Sequence, residues 1–377
     1  MIKFIIKELT SSIFSVFIFL FLMFYAINIF IPGDFLTPLQ MFLSKEEVDD
    51  LRASLGANDP LYQQYFRWIV SVLSGEITPG GFQRRSSEAI TSTILPTLQV
   101  LIPSILLSYS LSKLPALKTS LGRLHKDKIF SDIVATLFIS LFPPIVYFIV
   151  QDRLDGYYQE IATNLEFKKI PDSLIELSAF HLDTLLFLFL LGLILIVISF
   201  IDLATISSVP KTKLFVGPSI ILFLYLYLEE TYFLQIFFET KVALKTILVL
   251  SIFLIGEYIL MNNVVVQNIS REPHIFTARA IGYSRNHIYK NHILRNSYGP
   301  IAYRLGMNIP YLIASLVIVE STTDWGGMGS LLYTTIINQD SNAAMGILFL
   351  LSLLATFFRI LISITHKLID PRVFNSV

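Results

Sequence analysis

What most constrains this chain is the recurrence of apolar runs about as long as a bilayer is thick. A hydrocarbon core of about 30 Å takes roughly 20 mostly apolar residues of helix. About eight such runs are bounded by charge or by Pro and Gly. They lie near residues 9–31, 93–111, 129–150, 182–203, 213–232, 243–263, 299–320 and 344–366. With 54% hydrophobic and 15% charged residues in 377, the chain is far from the composition of a water-soluble domain. The expected fold is all-α, a polytopic membrane helix bundle of about eight spans. The first run is longer than a signal-peptide core and no small-residue cleavage site follows it, so a retained span is expected there.

Charge distribution sets the orientation. With the N-terminus in the cytoplasm, the loops placed inside are the Lys/Arg-rich ones. These are 112–128 with Lys113, Lys118, Arg123, Lys126 and Lys128, then 204–212 with Lys211, then 264–298 with Arg271, Arg279, Arg285, Lys290 and Arg295. The outer loops 32–92 and 151–180 carry more acid, as in Lys45-Glu46-Glu47-Val48-Asp49-Asp50. The positive-inside bias thus puts both termini in the cytoplasm, with Glu229-Glu230 at the outer interface. A formal net charge of zero points to no nucleic-acid partner. The lack of any cysteine removes disulfides, thiolate metal sites and cysteine nucleophiles together.

Three regions follow: 1–31 as the first membrane helix, 32–92 as an extracytoplasmic loop, and 93–377 as the main membrane domain with its cytoplasmic loop at 264–298. Capping signals predict two short helices on the outer surface, one from Thr37-Pro38 to Gly56 and one from Asp59-Pro60 to Gly75. Tyr62, Tyr65, Phe66 and Trp68 are rings suited to the membrane interface.

Catalytic signatures are missing: no G-x-x-x-x-G-K-[ST] loop, no H-E-x-x-H and no G-x-S-x-G. His287 and His292 stand five apart, which puts them on different faces of an α-helix, so with His274 they are expected to be solvated or to meet headgroups rather than to bind metal. Asp132, Asp202, Glu257 and Arg304 fall inside spans and are functional candidates for that reason. Glu257 is the deepest. It suits equally a hydrogen bond to a neighbouring helix, through Tyr258 or the Asn262-Asn263 pair, and a role in a translocation path. Pro143-Pro144 and Pro310 are expected to kink their helices.

The loop REPHIFTARAIGYSRNHIYKNHILRNSYGP, Arg271 to Pro300, is the polar exception in an apolar half. Ser270 as a cap, Pro273 in the first turn and Gly282 as a stop predict a helix Pro273–Tyr283. Ser284 then caps a second helix toward Gly299-Pro300. Phe276, Ala280 and Tyr283 share one face, and Ala278, Ala280 and Gly282 keep the helix slim. Such an element fits a partner's groove or an anionic lipid surface equally well.

Thr277-Ala278-Arg279-Ala280-Ile281-Gly282 with His292-Ile293-Leu294-Arg295-Asn296 resembles the TARAxG…HxLRN loop of ABC importer permeases of the peptide and nickel type. Further matches follow in the family's order. Ile31-Pro32-Gly33-Asp34 resembles its PGD motif. Leu55-Gly56-Ala57-Asn58-Asp59-Pro60 with Gln64-Tyr65-Phe66-Arg67-Trp68 and Gly75-Glu76 resembles its outer loop, and Leu95-Pro96-Thr97-Leu98 its LPxTL. Glu320, Trp325, Gly327 and Gly329 fit E-x-x-x-x-W-x-G-x-G, and Ile369-Asp370-Pro371-Arg372 fits the C-terminal DPR. The family's B-type permease usually has six spans, so the surplus falls within 151–243, where the resemblance is poor.

The resemblance implies a type I importer permease core in the bacterial cytoplasmic (inner) membrane, carrying oligopeptides or dipeptides, with nickel or another small solute as the alternative. It implies a second homologous permease, two ABC ATPase subunits that bind ATP and Mg, and an extracytoplasmic substrate-binding protein. The chain itself then needs no cofactor. Phe276, Thr277, Ala278, Arg279, Ala280, Gly282 and Arg285 become ATPase-coupling residues. Glu320, Trp325, Gly327 and Gly329 become an outer gate or binding-protein contact, and Gln99 and Asn308 line the translocation path or bond other helices. Two other classes remain. A membrane enzyme using Glu257 and a histidine would be active as a single chain. An exporter or ion-driven transporter would usually show inverted repeats, and none is evident.

Overall fold

The computed structural model describes residues 2–30, 43–74, 90–121, 125–140, 145–151, 186–195, 216–222, 230–323 and 325–369. Every regular element among them is helical. We name the principal ones α1 (Ile2–Phe30), α2 (Lys45–Leu55), α3 (Leu61–Leu73), α4 (Ile94–Leu121), α5 (His125–Ser140), α6 (Glu230–Ser270), α7 (Pro273–Ala280), α8 (Arg285–Ile288), a π-helical segment Tyr289–Leu294, α9 (Arg295–Thr323), α10 (Met328–Ile337) and α11 (Ser341–Ile369).

Four stretches are long and apolar enough to cross a bilayer: Glu8–Phe30, Ile90–Ser112, Val242–Ser270 and Ser341–Ile364. They coincide with the first, second, sixth and eighth expected spans. The third is a broken pair, Ile129–Ser140 and Ile145–Gln151, bent by 92°. Pro143-Pro144 falls outside the described residues. The expected span 182–203 is represented by Leu186–Leu195, and 213–232 by residues 216–222. From Glu230 onward the chain already belongs to α6. The seventh span is present as α9, which is helical through Pro310, but Arg295, Arg304 and Glu320 with its amides make it less apolar than the four. The described residues therefore hold four or five spans by length and composition, fewer than the eight expected.

Contacts divide the chain into two compact units, Met1–Thr97 with Ile309–Ile364, and Leu98–Asn308 with Thr365–Val377. In the first, α1 buries one stripe, Leu20, Phe24 and Ile27, at i, i+4, i+7, while Phe14, Leu22, Ile29 and Phe30 on the rest of its surface stay exposed. Tyr65 and Trp68 of α3 pack into the same core, ring on ring at 6.1 Å, and the Tyr65 hydroxyl donates to the Phe17 carbonyl at 3.0 Å. Of the four rings assigned to the interface, only Tyr62 and Phe66 are exposed; Tyr65 and Trp68 anchor the core. Helix α2 starts at Lys45, where Ser44 and Glu47 form a reciprocal capping box; the expected start at Thr37-Pro38 lies outside the described residues. It stops at Gly56, as expected, with φ at 67°.

In the second unit, α6 is a 41-residue helix with three distinct faces. One meets α4 through a hydroxyl ladder: Ser104 donates to the Ile247 carbonyl at 3.2 Å, Ser108 to Ser251 at 3.0 Å, and the Asn262 amide to Ser112. Bonds of this kind, with small residues, hold helices together where lipid offers no hydrophobic drive. A second face meets α5. A Cβ on Gly256 would run into the Ala135 carbonyl oxygen and lie 2.9 Å from the Ile139 nitrogen, so only glycine permits this approach. About two turns further on, the Asn263 amide donates to Ser131 at 2.9 Å and Asp132 at 3.0 Å. The third face carries Glu257.

Candidate functional site: a cytoplasmic docking helix, a buried corner and a midplane pair

The candidate docking helix, α7, is shorter than its sequence signals suggest. Ser270 is the last residue of α6 and donates its hydroxyl to the Gln267 carbonyl at 2.8 Å, so it does not cap α7. Extended Glu272 precedes Pro273, which fills the first helical position where its missing N–H costs nothing. The helix ends at Ala280 rather than Tyr283. Its stop is a Schellman arrangement: Gly282 N–H donates to the Arg279 carbonyl at 3.0 Å and Tyr283 N–H to the Ala278 carbonyl at 3.3 Å, with Gly282 at φ +91°.

Ile275 and Ala278 point inward. Phe276 is 58% exposed, Ile281 66% and Tyr283 47%, and Thr277, Arg279, Ala280, Gly282 and Arg285 are exposed beside them. The Arg279 guanidinium stands 5.9 Å from the Phe276 ring centroid, a cation over an aromatic face. The outcome is an exposed apolar patch of large residues with arginines at its rim.

Ser284 caps the next helix as expected, accepting the His287 N–H at 3.3 Å. The following π-helical turn overturns the expectation that His287 and His292 lie on different faces. A π-turn bonds i to i+5 and so brings residues five apart onto one side. The rings of His287 and His292 lie 6.1 Å apart, each beside Tyr283 at 4.7 and 6.1 Å, and His274 lies 6.4 Å from His292. His274 also pairs with Glu272 at 3.2 Å. Among the described residues, no group of three His or carboxylate side chains is placed to hold a metal ion.

The second constellation joins two motifs far apart in the chain. The Trp325 indole N–H donates to the Pro96 carbonyl at 2.9 Å, and Met328 N–H donates to Thr97 Oγ1 at 2.7 Å. Glu320 accepts the Gly329 N–H at 2.6 Å on Oε2, 3.4 Å from the Thr97 hydroxyl. Gly327 and Gly329 sit at the start of α10, so Glu320 acts as a cap supplied from another helix, a carboxylate at the positive end of a helix dipole. A Cβ on Gly327 would overlap the Glu320 carboxylate, and one on Gly329 would lie 2.6 Å from the Val317 Cα. Glu320, Trp325, Gly327 and Gly329 are all buried. Their geometry shapes the corner that presents α10.

The third is a pair. The Asn308 amide of α9 donates to Glu257 Oε1 on the third face of α6. Gln99 lies fully buried on α4. Sequence reasoning placed Asn308 among path candidates and gave Glu257 two equal readings; its partner is Asn308, not Tyr258 or Asn262-Asn263. What it missed is the Ser44–Glu47 box, legible as S-x-x-E, and the role of Thr97 as acceptor, for which spacing carries no signal.

The profile of the family described as "Binding-protein-dependent transport system inner membrane component" matches residues 189–375, which hold α6 through α11. The oligopeptide transport system permease protein AppB of Bacillus subtilis (strain 168) is 28% identical over 106 residues, 28% of this chain and 34% of AppB. The chain thus spans about a third of that relative's length. The glutathione transport system permease protein GsiC of Escherichia coli (strain K12) is 21% identical over 380 residues, covering 99% of each chain. Residues 189–375, just under half of the chain, are thus similar to this family, and together with these relatives they support a multi-pass permease subunit of an ABC importer in the cytoplasmic membrane, a transport component with ATPase and substrate-binding partners rather than an enzyme.

Proposed function

We propose that this chain is one of two homologous permease subunits through which an ATP-driven importer moves peptides. The observation that carries the coupling part is the patch of Phe276, Ile281 and Tyr283 on α7 and its stop, exposed where an ordinary connector would be polar. In this reading it seats in a groove of one of two ATPase subunits, which bind ATP and Mg. Phe276 and Ala280 supply the buried contact, Arg279 and Arg285 charge-assisted bonds, and Gly282 the turn that aims the helix. Closure of the ATPases pulls α7 and moves α6 and α9, to which it is joined in sequence. The corner built by Glu320, Trp325, Gly327 and Gly329 holds α10 on the outer side, where an extracytoplasmic binding protein delivers its cargo. Asn308 with Glu257, and Gln99, supply polar positions along the path.

Peptide as cargo is supported by the named substrates of AppB and GsiC, an oligopeptide and the tripeptide glutathione. The test is uptake in proteoliposomes containing this chain with its co-purified partner subunits and binding protein. ATP-dependent accumulation of short peptides, lost in Gly282→Asp, is the expected result. Accumulation of nickel chelate without peptide would replace the cargo assignment.

A further inference from the structure

One carboxylate has no part in coupling or in the buried corner. Glu257 lies at the middle of the apolar stretch Val242–Ser270, about 20 Å from either end at 1.5 Å per residue. A carboxylate at that depth is costly and persists where it serves a path or a partner. It is not needed to join α6 to α4 or α5, whose faces are already held by neutral hydroxyls and amides; its one inter-helix bond is to Asn308 of α9. Glu257 stands on the remaining face, with Val264 and Asn268 at i+7 and i+11. Leu254 at i−3 and Met261 at i+4 are buried around it, and the same side opens from Val264, 41% exposed, to exposed Asn268. Across from it on α9, Asn308 is flanked by Met307, 64% exposed, and by exposed Tyr303 and Arg304.

The Asn308 amide occupies Oε1 of Glu257, while Oε2 is buried and has no hydrogen-bond partner. No ion pair to Glu257 occurs among the described residues. The amide thus orients the carboxylate and leaves one oxygen for a donor that brings positive charge. A hard metal ion would need six or more oxygens, and one carboxylate with one amide falls far short. An ammonium group, with three donors, is suited to so sparse a site. We propose that Glu257, held by Asn308, binds the protonated amino terminus of the transported peptide part-way along the membrane-spanning stretch of α6. The proposal rests on the peptide reading above.

The test uses the intact permease–ATPase assembly in nanodiscs, without binding protein. It is exposed to a tripeptide library and to the same library N-acetylated, and retained peptides are counted by mass spectrometry. Free amines should be retained over acetylated ones by at least about tenfold, the lower end of what one charge-assisted bond contributes. In Glu257→Gln that ratio should fall to about one, and in Glu257→Asp part of it should survive. If Glu257→Gln does not assemble, Asn308→Ala, which frees the carboxylate to reorient, should lower the ratio. An equal ratio in wild type, an unchanged ratio in the variants, or no retention at all overturns the proposal. Adding the binding protein and measuring ATP hydrolysis separates the two levels. Stimulation by free tripeptides with no amine preference sinks this site and keeps the peptide reading, whereas no stimulation and no retention sinks both.

Discussion

Met328 donates its backbone N–H to the Thr97 hydroxyl oxygen at 2.7 Å, across 231 positions of sequence. The same hydroxyl lies 3.4 Å from Glu320, so Thr97 ties the start of α10 to the carboxylate that caps it. Thr97→Val keeps the shape and deletes the acceptor, leaving a buried N–H unpaired. That loss should cost about 1–3 kcal/mol. Thermal unfolding of the purified subunit in detergent should drop for Thr97→Val and much less for Thr97→Ser.

The glycines at this corner differ in what they touch. Gly329→Ala drives a methyl toward Val317 backbone, which cannot yield as a side-chain tip can, and should destabilise by about 1–3 kcal/mol. Gly327→Ala meets a carboxylate pinned by Gly329 and should also be disruptive. Gly326→Ala meets nothing within 4 Å and should be silent. The same unfolding assay ranks the three, and equal behaviour of Gly326 and Gly329 would contradict the corner.

On the outer side, Ser44 bonds hold the Glu47 carboxyl below its ordinary range, the backbone N–H first and the hydroxyl second. A depressed pKa in the folded state stabilises above the ordinary carboxyl value, and that contribution is lost as pH falls through the depressed one. Amide-exchange protection of residues 45–48, corrected for intrinsic rates, should therefore decline on acidification below about pH 4.5. Glu47→Gln should remove that pH dependence.

At Gly282, φ of +91° disfavours any L side chain by about 1 kcal/mol, although a Cβ there meets nothing within 4 Å. Gly282→Ala should thus leave insertion intact and weaken ATPase stimulation partly. Gly282→Asp adds charge at the docking patch and should abolish stimulation. Normal stimulation of ATP hydrolysis in Gly282→Asp would contradict a docking role.

Much of this was legible in the sequence because it is local chemistry. The stop at Gly56, the Pro273 start, the Gly282 turn and the Ser284 cap all depend on a few neighbours. Position failed where a competing local signal or a distant partner decided. The start of α2 is set by the Ser44–Glu47 box, and Ser270 was absorbed by an α6 longer than its apolar core. The histidines converged because a π-turn changed the period from about 3.6 residues to one that aligns i with i+5. The burial of Glu320 and Trp325 could not be read at all, since their partners Gly329, Thr97 and Pro96 are joined to them only by the fold.

The central claim is that the exposed face of α7 meets an ATPase and not the lipid beside it. The chain has no cysteine, so Phe276→Cys introduces a single thiol that can carry a benzophenone photocrosslinker within the assembled, membrane-embedded importer. Illumination should join this subunit to an ATPase subunit, in an adduct that changes in yield when ATP is added. Adducts with phospholipid alone, and none with the ATPase, would contradict it.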